Sequence, residues 1–165
     1  MARKLKLDLG DLAEAMSWRS DESEYYLDTH TGKIILVESG MLTDLEDGEE
    51  IDEDLPEWQK PMLAEARAIV EDTQDRYESI PPIESREGFR IMEDFIPGLT
   101  DDTLRDRLWE AIRGKGAFRR FKDALANAGG DLLDQWHRYE EQRHRDMARE
   151  WLESLDIEPE DSPAD

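Results

Sequence analysis

The chain has no cysteine. That excludes a disulfide framework, a thiolate metal site and a cysteine nucleophile. Long apolar runs are also missing. The longest is Ile34-Ile35-Leu36-Val37, far short of the ~20 residues a membrane-spanning helix needs. Met1-Ala-Arg-Lys-Leu-Lys-Leu-Asp has a basic start with no apolar stretch behind it, so it does not read as a secretory signal. Valine is scarce, two against eighteen leucines, which tilts the composition from strand towards helix. Cations are the other shortage: 21 Lys+Arg face 43 Asp+Glu, a net charge of −22 over 165 residues. Such a charge disfavours DNA and anionic lipid except through a locally basic face. A bacterial, cytoplasmic protein is expected.

Leu, Ile, Val and Phe make up 34 of the 165 residues, just above the ~20% at which a highly charged chain reads as disordered. Five tryptophans and a clear apolar periodicity place it on the folded side. Asp8 or Asp11 can cap a helix that puts Leu9, Leu12, Ala13 and Met16 on one face. Glu24 to Asp28, Thr29-His30-Thr31-Gly32 and Lys33 to Glu38 then read as a β-hairpin with its turn, the only convincing sheet signal. Alternation puts one of Tyr26 or Leu27, and Ile35 or Val37, inward.

Residues 43–57 hold nine acids and no base, and read as a solvated connection. A helix from Pro56 or Pro61 to Tyr77 follows, with Leu63, Ala66, Ile69, Val70 and Tyr77 on its core stripe. Ile80-Pro81-Pro82-Ile83 forces an extended link. Ser85 can cap a helix that stops at Pro97-Gly98, and Thr100 one that breaks at Gly114-Lys115-Gly116. Ala117 to Ala128 carries Phe118, Phe121 and Leu125 inward, and Asp131 caps the longest helix, with Trp136, Tyr139, Met147 and Trp151 at helical spacing. The fold expected is α+β, mostly α, with five or six helices and one small antiparallel hairpin. Residues 1–157 form a single domain: a hairpin lobe 1–42, the acidic connection 43–57 and a helical lobe 58–157. Residues 158–165 are read as an acidic flexible tail.

Arg113, Lys115, Arg119, Arg120 and Lys122 form a basic island without an acid between them. A Gly-Lys-Gly turn feeding a helix start gathers backbone N–H groups and cations, which suits a phosphate or carboxylate. It is not a P-loop, because the upstream glycine and the following Ser/Thr are missing. The competing reading pairs these cations with Asp101, Asp102, Asp106 and Glu110, leaving nothing to bind. His137, Glu140 or Glu141, and His144 share a helix face, yet seven residues separate the histidines by ~10.5 Å, too far for one ion. The acidic run misses the calcium-loop spacing, since Thr43, Leu45 and Asp47 stand at the required offsets before Gly48. No cofactor is expected, and an enzyme is unsupported.

Glu24-Tyr-Tyr-Leu-Asp-Thr-His-Thr-Gly-Lys-Ile34 resembles the YLD-x-x-TG hairpin of the bacterial uncharacterised protein family 0158. Glu84 to Phe95, Gly114 to Asp123, Trp136 and Trp151-Leu152 are similar to its later blocks, in order, across roughly residues 5 to 157. The resemblance implies a single domain with no assigned activity, and makes Gly114-Lys-Gly-Ala-Phe118 the better candidate for a shared site. His137 and His144 fall outside the pattern. The reading is a cytosolic, non-enzymatic binding module whose basic segment contacts an anionic partner such as nucleic acid. The alternative is an acidic interaction protein, or DNA mimic, that binds a basic partner through residues 44–57. A weaker alternative is a metal protein or enzyme using His137 and Glu140. No membrane is involved, and a homo-oligomer stays open.

Overall fold

The computed structural model describes residues 3–18, 21–48 and 56–160. Helix α1 (Leu9–Ser17) starts where the Asp8 carboxylate accepts the N–H groups of Gly10 and Asp11, and it buries Leu9, Leu12, Ala13, Ala15 and Met16. Strands β2 (Ser23–Asp28) and β3 (Ile34–Glu38) form the expected hairpin, with Tyr26 opposite Ile35. A third strand, β4 (Tyr77–Ser79), pairs antiparallel with the other side of β2, giving the order β3-β2-β4. Strand β1 (Arg3–Leu5) pairs parallel with β5 (Ile157–Pro159). Three-residue strands are too short to show alternation, which is why the sequence did not reveal them.

Helix α2 (Ser39–Glu46) leaves β3 directly and buries Met41 and Leu42. This corrects the start of the expected solvated connection: residues 43–46 are helical, because Leu45 continues the Met41 and Leu42 stripe. Residues 49–55 lie outside the described residues. Helix α3 (Lys60–Val70) carries Pro61 in its first turn, where a missing N–H costs little. It ends seven residues before Tyr77. Asp72 accepts the N–H groups of Gln74 and Tyr77, and Asp75 takes φ +55, so the chain turns and Tyr77 opens β4. Ile35, Val37, Met41, Leu42 and Ala66 form one buried cluster, flanked by Tyr26, Leu63, Ile69, Val70 and Tyr77. Thus α3 and β4, expected in the helical half, complete the hairpin's own core.

Further along, α4 (Ser85–Phe95) begins one residue earlier than a Ser85 cap implies: Glu84 is the N-cap, with its N–H donating to the Glu87 carboxylate. Likewise Asp101, not Thr100, caps α5 (Asp102–Ala111), accepting from Thr103 and Leu104. Then come α6 (Ala117–Ala128) and α7 (Leu132–Ser154). Seven α-helices are present among the described residues, more than the five or six expected, and the sheet has three strands rather than two. The tail expectation fails for residues 158–160. Glu158 and Pro159 lie in β5, the Glu160 N–H donates to the Leu5 carbonyl, and Ile157 is buried. Residues 161–165 lie outside the described residues.

By its contacts the chain falls into two compact units, residues 1–82 with 147–165, and residues 83–146. The second is centred on four rings. Phe121 and Trp136 meet edge to face at 4.7 Å between centroids, Phe95 meets Trp136 at 5.2 Å, and Tyr139 tilts against Phe95 at 5.2 Å. Arg143 closes this corner, donating to Asp94 and to the Tyr139 hydroxyl. Phe121 is fully buried in this cluster. Phe121→Ala should cost about 3–5 kcal/mol in urea unfolding; a variant unfolding at the wild-type midpoint would show that the rings do not hold the unit.

Candidate partner-binding surface

The Tyr-Leu-Asp turn is built as a lock. The Asp28 carboxylate is buried and receives both Nε and Nη2 of Arg76 at 2.9 Å, together with the His30 N–H. Burial alone would raise its pKa. The hydrogen bonds from Arg76, His30 and Thr31 outweigh that and hold the carboxyl well below the usual range. The Thr29 N–H and hydroxyl both donate to the Arg76 carbonyl, and Arg3 donates to the Thr29 carbonyl. Gly32 sits at φ +82, and a Cβ there would stand 2.1 Å from the Lys6 carbonyl oxygen, so only glycine fits. These residues tie the N-terminus, the hairpin turn and β4 together. The Asp28 to Gly32 turn of the hairpin block thus has a structural role.

The basic island lies on the loop between α5 and α6. Gly116 is the N-cap of α6 in the left-handed region, which turns the chain into the helix. Arg120 is exposed and lies back over the loop: its guanidinium donates to the carbonyls of Ala111, Arg113 and Lys115. It thereby satisfies the carbonyl end of α5 and holds the loop closed. Arg113 and Arg119 make long, exposed ion pairs with Glu110 at 3.7 Å and Asp123 at 3.9 Å, which hold such cations weakly. Lys115 and Lys122 carry no ion pair among the described residues, so the acids do not fold over the whole island.

Phe118, expected inward, is 43% exposed and lies over Gly88 of α4. Phe121 and Leu125 take the buried stripe, and Phe118 falls one residue to its side. Beside it, Phe89, Glu93, Trp109, Ile112, Arg113 and Gly114 line a groove of about 440 Å³. Trp109 is 38% exposed there. Sequence reasoning missed this groove, because Trp109 and Phe89 come from different helices.

On α7, His137 is exposed and His144 half-buried, and burial lowers the His144 pKa against the opposing charge of Glu140. Among the described residues no group of three or more His, Asp or Glu could hold a metal ion. In the first unit, burial and then the Glu24 carboxylate push Tyr26 up to about 12. Burial, with Asp75 and Asp72 behind it, also raises Glu78. No helix among the described residues is long and apolar enough to cross a membrane.

Fold and surface together define an acidic α+β protein with a clamped turn and a small cationic, aromatic face. The chain belongs to the uncharacterised protein family UPF0158, whose model matches residues 2–162. It is 27% identical over 157 residues to a UPF0158 protein of Pseudomonas aeruginosa, covering 95% of this chain and 88% of that one. It is also 27% identical over 142 residues to a UPF0158 protein of Chlamydia pneumoniae, covering 86% of this chain but only 38% of the relative. No solved structure matches it.

Two tests separate structural from surface cations. Because the Asp28 pKa is depressed, its contribution is present at neutral pH, starts to fade as pH falls below ~4 and is lost as pH passes through the folded value. Asp28→Asn should therefore be less stable at pH 7 and show a flatter stability profile between pH 5 and 2; an unchanged acid profile would mean that the pair does not hold the turn. Arg120→Gln should cost about 1–2 kcal/mol, whereas Lys122→Gln should stay within about 0.5 kcal/mol in the same urea titration. Equal effects would remove the loop-closing role of Arg120.

Proposed function

We propose that the protein is a binding module whose α5–α6 face contacts an anionic partner, with single-stranded nucleic acid the chemistry that uses this face most fully. The observation that carries the reading is the neighbourhood of unpaired cations and exposed rings. Among the described residues Lys115 and Lys122 make no ion pair, Arg113 and Arg119 are only loosely paired, and Phe118 and Trp109 present apolar surface. Arg120 contributes its charge while holding the loop. Phosphates attract cations and bases stack on aromatic rings, each stack being worth ~1–3 kcal/mol. An acidic peptide would use the same cations without the rings.

Fluorescence anisotropy with a labelled oligothymidylate, and in parallel a labelled octaglutamate, tests this. Oligothymidylate should bind at low salt, weaken linearly in log affinity against log salt, and lose at least tenfold in Lys115→Glu/Lys122→Glu and in Phe118→Ala. Octaglutamate binding that ignores Phe118 would move the reading to an acidic protein partner. Absence of binding to both at low salt would overturn it.

A further inference from the structure

We propose that the groove between α1 and the β2–β3 hairpin docks a lysine- or arginine-bearing segment of a partner protein. The groove lies wholly within the first unit and does not depend on the α5–α6 face. Its floor is an aromatic pair: Trp18, just past the end of α1, meets Tyr25 of β2 edge to face at 5.2 Å between centroids. Two hollows open on either side of this pair, about 520 Å³ towards the hairpin turn and about 250 Å³ towards Ser79 to Pro82, and both share Ala15, Trp18 and Tyr25. Trp18 is 42% exposed and Leu36, which faces Tyr25 across the strand register, 38%. By strand alternation Tyr25, Ile34 and Leu36 share the sheet face opposite to the one buried on α2 and α3. On that face Leu27 is fully buried, Tyr25 and Ile34 are half-buried and Leu36 is exposed, which leaves an apolar strip only partly covered by this unit's own core.

Among the described residues the rim is mostly acidic. Asp8, Asp11 and Glu14 stand at three-residue spacing along the exposed side of α1, and Asp21 and Glu24 border the smaller hollow. The one cation among the described lining residues, Lys33, is engaged by Glu65 at 2.7 Å, outside the lining. An exposed tryptophan beside a half-buried tyrosine, within a carboxylate rim, can recognise an ammonium or guanidinium on the end of an aliphatic stem. The ring faces and carboxylates hold the charge, and the apolar strip takes the stem. The same field repels phosphate and anionic lipid. Two hollows joined at the aromatic pair accommodate more than one side chain, which favours a peptide over a single small amine.

The test is anisotropy of a fluorescein-labelled decapeptide of alternating lysine and leucine, in 150 mM salt, with the whole chain. Trp18→Ala and Asp11→Asn/Glu14→Gln should each weaken binding at least tenfold. A charge-matched control, Asp134→Asn/Glu150→Gln, should change it less than twofold. The change in indole emission on binding should vanish in Trp18→Ala. The carboxylates replaced are exposed, so melting temperatures close to wild type are expected and guard against misfolding. Equal weakening by the control pair, or full affinity in Trp18→Ala, would reduce the binding to general charge attraction and overturn the proposal. So would spermine displacing the peptide at similar concentration, which would assign the groove to small polyamines. Self-association of the chain lost in Asp11→Asn/Glu14→Gln would assign it to a second copy instead.

Discussion

The two-pronged bond between Arg76 and the buried Asp28 carboxylate is the constraint around which the first unit is arranged. A carboxylate out of water is tolerable only when its charge and lone pairs are met. Here Arg76 meets the charge, and the His30 N–H and the Thr31 side chain add the turn's own hydrogen bonds. Meeting it places β4 beside β2, because Arg76 immediately precedes Tyr77. It also places the N-terminus, since Arg3 must reach the Thr29 carbonyl and Lys6 must pass against Gly32. The pairing of β1 with β5 then brings the end of α7 and the following chain to the same N-terminal segment. Only the Asp28 side of the pair is buried, so an arrangement without Arg76 would leave that carboxylate's charge unmet.

With twice as many acids as bases, the use of each cation matters. Arg76 is committed to Asp28, Arg105 to the Leu99 carbonyl and Asp102, Arg143 to Asp94, Lys33 to Glu65, and Arg120 to the loop carbonyls. These are interior or local duties, and they explain why a basic island in sequence is not the same as a basic patch in space. Of the five cations expected to form a site, one is consumed by the fold and two are loosely held. Lys115 and Lys122 keep their charge for solvent or a partner.

How much of this was legible in the sequence depends on the length of each signal. Helices α1 and α6 could be read nearly to the residue, because an aspartate cap and a Gly-Lys-Gly break mark where their apolar stripes begin. The hairpin was legible from its alternation and its glycine turn. Strands β1, β4 and β5 were not, since three residues carry no period, and Tyr77 fitted a helical stripe as well as a strand. Helix α2 was hidden because its last turn, with Asp44 and Glu46, runs straight into the acidic stretch that continues to Glu57. At the candidate sites, the identities of the cations were visible but their partners were not. Whether an arginine ends on carbonyls five to nine residues away or in water is decided by the closure of the loop. The groove around Trp18 and Tyr25 was invisible for the same reason, as it exists only once the hairpin lies beside α1.

The two surfaces differ in how local and global charge combine. At physiological ionic strength a charge is felt over a Debye length of ~8 Å, so a partner first meets the average field of a −22 chain and only later the local contacts. A cationic segment approaching the Trp18–Tyr25 groove is attracted at both ranges, and the aromatic pair then supplies selectivity that charge alone lacks. An anionic strand approaching the α5–α6 face is opposed at long range and attracted only within reach of Lys115, Lys122 and their neighbours. Binding there has to draw on short-range contributions, and that is the physical role open to Phe118 and Trp109. On a chain this acidic, exposed rings beside free lysines are the arrangement by which an anion could be held at all, whereas exposed rings beside carboxylates use the field the rest of the sequence already provides.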